Sequence, residues 1–300
     1  MNETAGAATG IDLSSTITVF VTTVGAPTFD ACLAHLAAQD CRFTLRVIER
    51  VAPMRAAFQR MLDDCRTPFY VQVDEDMLLM PHAVRTLHER IEDGGPQVAM
   101  FAANLFDEHL QRCIIGVKIF RHAIARRYPF AHQDAFEIDQ VRRFRADGYL
   151  AHKVPTGYEP VPGDTLGLHG TRWTPESIYE RYATLERRRR TDKPTLFWFV
   201  EHAPRFLERF QNDPSEENFF ALMGVVAGVL ASRHGGATSK DFRTYEALPG
   251  FAALREFLSA IEALQPAAAA DAPAARAAEP ETRLEARRGN GHAAAPLARS

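Results

Sequence analysis

Three acidic residues follow directly on an apolar segment of the chain. Phe69–Val73 is typical of a buried β-strand, and Asp74, Glu75 and Asp76 come immediately after it. Adjacent carboxylates repel one another, so an uncompensated cluster of this kind is costly. A hard divalent cation such as Mg²⁺ or Mn²⁺, which prefers oxygen ligands, would remove that cost. Asp74 and Asp76 are therefore candidate metal ligands, and a solvated acidic turn is the alternative interpretation.

The acidic segment ends the third strand of an alternating series of strands and helices. Strands are predicted over residues 16–24, 43–51 and 67–73, and later over 98–104 and 111–119. Helices are predicted over residues 29–39, 54–65 and 81–91. This order predicts an α/β fold with a mixed, mainly parallel sheet flanked by helices. Ligands bind at the carboxyl ends of strands in such sheets, which adds Thr22, Thr23, Val24 and Glu49 to the candidate binding residues.

The pattern along the chain predicts four parts. Residues 1–15 form a loose N-terminal lead, and residues 16–190 form the α/β domain. Residues 191–264 are predicted to be a helical C-terminal extension, because strand patterns give way to helical ones. Residues 265–300 are rich in Ala, Pro and Arg without apolar periodicity, which predicts a disordered tail.

Composition narrows the functional classes. The 300 residues include 35 Lys and Arg against 38 Asp and Glu, so a net charge of -3 gives no reason to expect nucleic acid as a partner. The 4 cysteines form no CxxC pair, which disfavours a zinc ribbon and fits a reducing cytosol. Residues 1–15 lack the features of a secretory signal, and the longest apolar run, residues 219–231, is shorter than the roughly 20 residues that span a bilayer. The predicted location is the cytoplasm, with peripheral contact at the inner face of the membrane as a second option.

Three blocks of sequence together resemble the GT-A fold nucleotide-sugar glycosyltransferases, in particular the family 2-like group. Residues 53–76, PMRAAFQRMLDDCRTPFYVQVDED, resemble the block that leads to the DxD motif of that family. Residues 136–149, FEIDQVRRFRADGY, resemble its acidic pair and the helix ending in Gly-Tyr, and His169 in LGLHG resembles its later histidine. The resemblance covers residues 16–190.

The resemblance implies a GT-A-like, Rossmann-related fold and a metal-dependent, inverting sugar transfer from a nucleotide-sugar donor. The acceptor hydroxyl would belong to a saccharide, a lipid or a protein. His169 would join Asp74 and Asp76 around Mn²⁺ or Mg²⁺. The residues expected to contact the donor are Thr22, Thr23, Val24, Glu49, Arg55, Asp74 and Glu75, with Glu49 the nearest candidate for the acid that reads the nucleotide base.

An acceptor hydroxyl has a high pKa, so a carboxylate must take its proton as the new bond forms. Counting back from Gly148-Tyr149 puts Glu137 where the family has its base, with Asp139 two places later. Because residues two apart on a helix point to different sides, only one of them can face the site. Asp134, before the helix, is a third candidate and would otherwise act as a helix cap.

Three other functions fit parts of the sequence. A non-catalytic GT-A-like scaffold could bind a nucleotide sugar without turnover. A haloacid-dehalogenase-type phosphatase also places DxD after a strand. In that class the motif usually lies near the first strand, whereas here it follows the third predicted strand and is followed by Met77-Leu78. A sugar-phosphate nucleotidyltransferase needs a Gly-rich, Arg-bearing loop after the first strand, which residues 24–28 match poorly.

Overall fold

The structure, a computed structural model, describes residues 10–131, 136–170, 173–187, 197–232 and 249–264. The chain divides into two compact units, residues 1–251 and 252–300. The sheet and all the helices before residue 249 lie in the first unit. In the second unit the described residues are those of a helix that continues to Leu264.

The order of elements follows the predicted alternation. The strands are β1 (Ile11–Asp12), β2 (Ile17–Thr23), β3 (Cys41–Arg42), β4 (Thr44–Glu49), β5 (Phe69–Asp74), β6 (Met77–Leu79), β7 (Val98–Asp107), β8 (Arg112–Arg121), β9 (Leu150–Lys153) and β10 (Thr165–His169). The helices are α1 (Phe29–Ala37), α2 (Met54–Asp64), α3 (Ala83–Asp93), α4 (His122–Ala125), α5 (Phe136–Ala146), α6 (Pro175–Arg187), α7 (Phe197–Asn212), α8 (Glu216–Ser232) and α9 (Pro249–Leu264).

The main sheet has the strand order β4-β2-β5-β8-β7-β10-β6, and β9 pairs with β7. Four of the strand pairs in this sheet are parallel, and the pairs β5–β8, β7–β8 and β6–β10 are antiparallel. The predicted mixed, mainly parallel sheet flanked by helices is confirmed. Because β4, β2, β5, β7 and β10 run in one direction, their carboxyl ends meet at the same edge.

The sheet separates two apolar cores. Side chains alternate between its faces, as they must along a strand. Val19 and Val21 of β2 pack in one core with residues of α1 and α3, whereas Phe20 packs in the other with residues of α2 and α5. In the second core the rings of Tyr70 and Phe120 are stacked, with centroids 4.8 Å apart. Burial on both faces explains why β2 and β5 are continuous apolar runs in the sequence.

The sheet is strongly curled at its far end. Only Glu75 and Asp76 separate β5 from β6, yet β6 pairs with β10, on the other side of β8 and β7 in the strand order. The sheet must therefore bend back so that β10 comes close to the carboxyl end of β5. Gly167 permits the close approach, since a Cβ atom there would lie 2.4 Å from the carbonyl oxygen of Leu78.

Helices α6, α7 and α8 pack around a third apolar cluster that includes Tyr182, Phe206 and Val225. The domain boundary expected at residues 190–191 falls outside the described residues. None of the described helices has the length and the apolar character needed to cross a membrane. The cysteines, Cys32, Cys41, Cys65 and Cys113, are all buried with free thiols.

Two segments differ from the expectations drawn from the sequence. The pair β1–β3 places Ile11 beside Cys41, within the segment expected to be a loose lead. Strand β10, at Thr165–His169, is absent from the strands predicted from the sequence, and His169 is its last residue. This strand is short and contains Gly167, and it is held because β7 and β6 pair with it on both sides.

Candidate active site

Polar side chains gather where the parallel strands end. Thr23 ends β2, Glu49 ends β4 and Asp74 ends β5, while Asp107 and His169 end β7 and β10. The register pairs Thr23 with Glu49, Thr22 with Asp74, and His169 with Asp107. This edge therefore contains most of the residues that the sequence analysis selected.

The acidic turn after β5 is held by hydrogen bonds to the neighbouring strand. The hydroxyl of Thr22 donates to Oδ1 of Asp74 across 2.9 Å. Buried Cys32 lies beneath the same turn, and burial together with the negative charges of Asp76, Asp74 and Glu75 raises the pKa of its thiol to about 12. The negative charges of the three carboxylates therefore act together at this point of the sheet edge.

Glu75 faces the loop between β2 and α1 and accepts hydrogen bonds from it. The backbone N–H groups of Val24 and Ala26 donate to its two carboxylate oxygens over 3.1 and 2.8 Å, and the hydroxyl of Thr23 also donates to it. Glu75 therefore fixes the shape of the segment expected to contact a nucleotide. These bonds also relieve part of the repulsion expected among three adjacent acids.

Asp76 faces His169, and this contact depends on the curl of the sheet. Oδ2 of Asp76 lies 3.4 Å from Nε2 of His169, and the two side chains are largely buried. The pairing of β6 with β10 puts Met77 directly beside His169, which brings the preceding Asp76 to the imidazole. Two residues that are far apart in the sequence therefore meet at one point.

Asp107 fixes the orientation of the His169 ring from the opposite side. Its Oδ2 lies 2.9 Å from Nδ1 of His169, and the Asp107 side chain is fully buried. Burial alone raises the pKa of Asp107, but the hydrogen bond from His169, the nearby Arg181 guanidinium and the Leu110 N–H lower it to about 2. An ionised Asp107 accepts a hydrogen bond from Nδ1–H, so in the neutral form of the ring it is Nε2 that presents its lone pair to Asp76.

A divalent cation fits between Asp76 and His169. Without a cation or an added proton, the lone pair of Nε2 and the carboxylate of Asp76 would repel each other. Two adjacent ligands, each about 2.1 Å from one octahedral ion, stand about 3 Å apart, and Nε2 of His169 and Oδ2 of Asp76 are 3.4 Å apart. No group of three His, Cys, Asp or Glu side chains in the described residues is arranged to hold a metal by itself. Mg²⁺ commonly keeps water and takes substrate phosphate oxygens beside one or two carboxylates, so an incomplete protein ligand set suits it.

Gly170 and Trp173 are in close contact beside His169. Gly170 has φ of +75°, a conformation that favours glycine, and a Cβ atom there would make a tight contact of 3.1 Å with the ring of Trp173. The Arg181 guanidinium lies over the Trp173 ring, 4.3 Å from its centroid, and its Nη2 is 3.7 Å from Asp107. Nε of Arg181 is buried without a hydrogen-bond partner among the described residues. Arg181 thus connects Trp173 to the Asp107–His169 pair.

Glu137, the first candidate for the base, is bound to a lysine of the sheet. Nζ of Lys118 lies 2.6 Å from Oε1 of Glu137. Burial lowers the pKa of Lys118, but the charge and hydrogen bond of Glu137 and the charge of Asp74 raise it overall. Lys118 lies on β8 opposite Gln72 of β5, so its ammonium bridges the acidic turn and α5 electrostatically.

The other expected site residues are more dispersed. Asp139 forms a hydrogen-bonded ion pair of 2.9 Å with Arg143 on the same helix, α5. Arg55 donates from Nη1 to the carbonyl oxygen of Phe130 over 3.1 Å. Glu49 is exposed at the end of β4. Asp134 lies outside the described residues.

The sequence analysis missed Lys118, Asp107 and Arg181. Lys118 is the one basic residue within an otherwise apolar stretch of β8, which is a signal that could have been noticed. Asp107 was missed because the strand was expected to end at residue 104, whereas β7 continues to Asp107. Arg181 has no local signal, because its role depends on Asp107 and Trp173.

No family model matches the chain, and no curated protein matches it. Among solved structures, it is similar to a mannosyltransferase from Pyrobaculum calidifontis solved with GDP-Man and Mn²⁺, at 17% identity and a TM-score of 0.42, over 84% of this chain and 82% of that one. It is also similar to residues 1–349 of TarS from S. aureus, at 13% identity and a TM-score of 0.32, over 66% of this chain and 72% of that one. A third similar structure is the bifunctional IspDF from Campylobacter jejuni, at 11% identity and a TM-score of 0.34, over 51% of this chain and 52% of that one.

Proposed function

We propose that the chain is a glycosyltransferase that moves a sugar from a nucleotide-sugar donor to an acceptor hydroxyl, with inversion, and that it uses Mn²⁺ or Mg²⁺. The observation that carries the proposal is the line of Asp76, His169 and Asp107 at the carboxyl edge of the sheet. A carboxylate and an oriented imidazole face each other there, beside the loop that Glu75 holds. We assign this activity to the domain over residues 16–190 and treat residues 191–264 as its helical extension.

In this proposal Asp76 and His169 would bind the metal, Asp74 would add its negative charge beside them, and water and donor phosphate oxygens would complete the ligand set. The metal, when bound, would neutralise charge on the departing diphosphate. Asp107 keeps the His169 ring in place and its Nδ1 protonated. The loop at Thr22, Thr23 and Val24 binds the nucleotide, with Glu49 beside it as the candidate reader of the base. Glu75 acts through the shape of this loop, and Arg55 supports the segment at Phe130.

Glu137 is our candidate for the general base. Its carboxylate reaches Lys118, which interacts with Asp74, so it lies on a different segment from the acidic turn but is coupled to it. Asp139 is less suited, because its partner is Arg143 on the same helix and not a residue of the central sheet. Glu137→Gln should reduce turnover by about 10²- to 10⁴-fold, the usual contribution of a general base. Asp139→Asn is the matched control on the same helix and should change turnover much less.

The decisive experiment is a panel of nucleotide sugars, each incubated with the full chain and Mn²⁺. Thermal shift reports donor binding, and released nucleotide diphosphate reports transfer or slow hydrolysis. At least one donor should raise the melting temperature and release its nucleotide, and EDTA should abolish the release. Binding without release would point to a scaffold. Pyrophosphate release from a nucleoside triphosphate and a sugar phosphate would point to a nucleotidyltransferase.

A further inference from the structure

A small cleft of about 270 Å³ opens beside the Asp107–His169 pair. It lies between the edge of the sheet and the turn that joins α7 to α8. The residues that matter for its chemistry are Glu108, Trp173, Arg209, Asp213, Ser215 and Glu217. Glu108 directly follows Asp107, and Trp173 packs with its ring 5.3 Å from that of His169. The cleft therefore lies close to the candidate metal site, with the Trp173 ring between it and His169.

The walls of this cleft are mostly polar and carry an excess of negative charge. Its lining contains three carboxylates, from Glu108, Asp213 and Glu217, and one cationic side chain, that of Arg209. The Arg209 guanidinium already donates to the carbonyl oxygen of His109. The excess of negative charge in the cleft is therefore expected to disfavour anions, most strongly beside Glu108, which is the least exposed of the three acids.

The remaining groups are suited to hydroxyl groups. Ionised carboxylates only accept hydrogen bonds, and a ligand with several O–H donors satisfies them. Ser215 adds a hydroxyl that can both donate and accept. Asn218, also part of the lining, is held in place because its side-chain nitrogen donates to both the backbone oxygen and Oδ2 of Asp213, over 3.0 and 3.1 Å. These hydrogen bonds therefore hold Asp213, at the rim of the cleft, in place before any ligand binds.

The polarity of the cleft disfavours a lipid chain. Pockets that bind apolar ligands are lined predominantly by hydrophobic side chains, whereas the lining of this cleft is mostly polar. Trp173 presents its indole beside the cleft, but the Arg181 guanidinium lies over the ring, 4.3 Å from the centroid. The occupant is thus a compact, hydroxyl-rich unit held chiefly by hydrogen bonds.

We infer that this cleft binds the acceptor, and that the acceptor unit bound there is a carbohydrate that is neutral or carries an amine, not one that carries a carboxylate or a phosphate. The inference rests on the proposed sugar transfer, and it specifies the substrate class at the same site. It places the acceptor next to His169, on the side of the sheet edge formed by the ends of β7 and β10.

Binding of three monosaccharide probes to the full chain tests this inference without any donor or turnover. Saturation-transfer NMR would compare methyl glucoside, glucosamine and glucuronate at equal concentrations. Glucosamine and methyl glucoside should bind, and glucosamine should bind at least about tenfold more tightly than glucuronate, equivalent to about 1.4 kcal/mol.

Reversal of one rim charge provides the specific control. Glu217 is exposed in the first turn of α8, so Glu217→Arg should leave the fold intact while it moves the preference toward glucuronate. Asp93→Arg makes the same charge change at an exposed site of α3 that does not line the cleft, and it should leave the preference unchanged. The inference is overturned if glucuronate binds as tightly as glucosamine to the unaltered chain, or if no probe binds, or if both variants behave alike.

Failure here can be told apart from failure of the proposed function. If the donor panel gives metal-dependent nucleotide release but the sugar probes do not bind, the activity stands and the assignment of this cleft is wrong. If no donor binds or is cleaved, the proposed function is wrong whatever the probes do.

Discussion

Lys118 and Glu137 join the central sheet to helix α5 through an ion pair of 2.6 Å between Nζ and Oε1. Their side chains are 18% and 30% exposed, so water screens the pair only in part. Asp74 adds a further negative charge that favours the ammonium form of Lys118. The pair therefore couples the candidate base to the acidic turn.

The strength of the Lys118–Glu137 ion pair should be measurable in the free energy of unfolding. A double-mutant cycle with Lys118→Met and Glu137→Gln, measured by urea unfolding, should give a coupling energy of about 1–3 kcal/mol. The same cycle on Arg60 and Asp64, an ion pair on the surface of α2 with side chains 58% and 38% exposed, should give about 0.5 kcal/mol or less. Equal coupling in the two cycles would contradict a special role for the Lys118–Glu137 pair.

Asp76→Asn should weaken binding of Mn²⁺ while the fold survives. The substitution preserves size but removes the charge that faces His169 across 3.4 Å. Free Mn²⁺ measured by electron paramagnetic resonance should report a loss of affinity of at least about tenfold, because a charged oxygen ligand is lost. Asp93→Asn changes an exposed acid elsewhere and is the control. Unchanged affinity in Asp76→Asn would exclude Asp76 as a ligand.

Asp107→Asn tests a residue that acts through His169 and not on a substrate. A carboxylate behind a ligating histidine typically contributes 10- to 100-fold to metal affinity. We expect a loss of about that size in the Mn²⁺ titration, together with a change in the ¹⁵N chemical shifts of the His169 ring that reports its tautomer. Lower affinity with an unaltered ring signal would mean that Asp107 supports only the surrounding fold.

Glu75→Gln should weaken nucleotide binding by the loop between β2 and α1 without weakening metal binding. Glutamine retains one carbonyl oxygen but cannot accept all the bonds that Val24, Ala26 and Thr23 donate to the carboxylate. Affinity for a nucleoside diphosphate should fall several-fold, while affinity for Mn²⁺ alone should change little. If both affinities fall equally, Glu75 belongs to the metal site and not to the loop.

His109 predicts a loss of stability in mild acid. Burial, and then the charge of Arg209, lowers its pKa from 6.5 to about 4. The unfolded chain therefore binds this proton first, so the stability due to neutral His109 is complete above about pH 6.5 and is lost as pH falls toward 4. Urea unfolding across this range should show that His109→Gln reduces the slope of unfolding free energy against pH by up to about 1.4 kcal/mol per unit.

His152→Gln is the control for this experiment, because the imidazole that it removes is exposed. An equal change of slope in the two variants would show that the buried position of His109 is not the cause of the acid sensitivity.

The central strands could be predicted from the sequence because each is buried on both faces and therefore reads as a continuous apolar run. β2 and β5 are of this kind. β10 could not be predicted in the same way. Its five residues include Gly167 and follow a Pro- and Gly-rich segment, and only pairing with β6 and β7 makes them a strand.

The residues of the candidate site differ in the same way in whether the sequence predicts them. Asp74 and Asp76 are visible in the sequence because they follow a recognisable strand at alternate positions. Asp107 and Lys118 are single charged residues whose meaning depends on His169 and Glu137, and each of those contacts joins distant parts of the chain. Local patterns carry no information about such pairs.

The pairing of β6 with β10 also determines when, during synthesis of the chain, the candidate metal site can form. Asp76 emerges from the ribosome long before His169, and the two meet only after β10 has joined the sheet. Contacts between such distant segments form late, because the intervening loop must be closed first. A nascent chain that ends before residue 165 would therefore carry the complete acidic turn without its imidazole, and it would lack one of the two facing groups proposed to hold the ion.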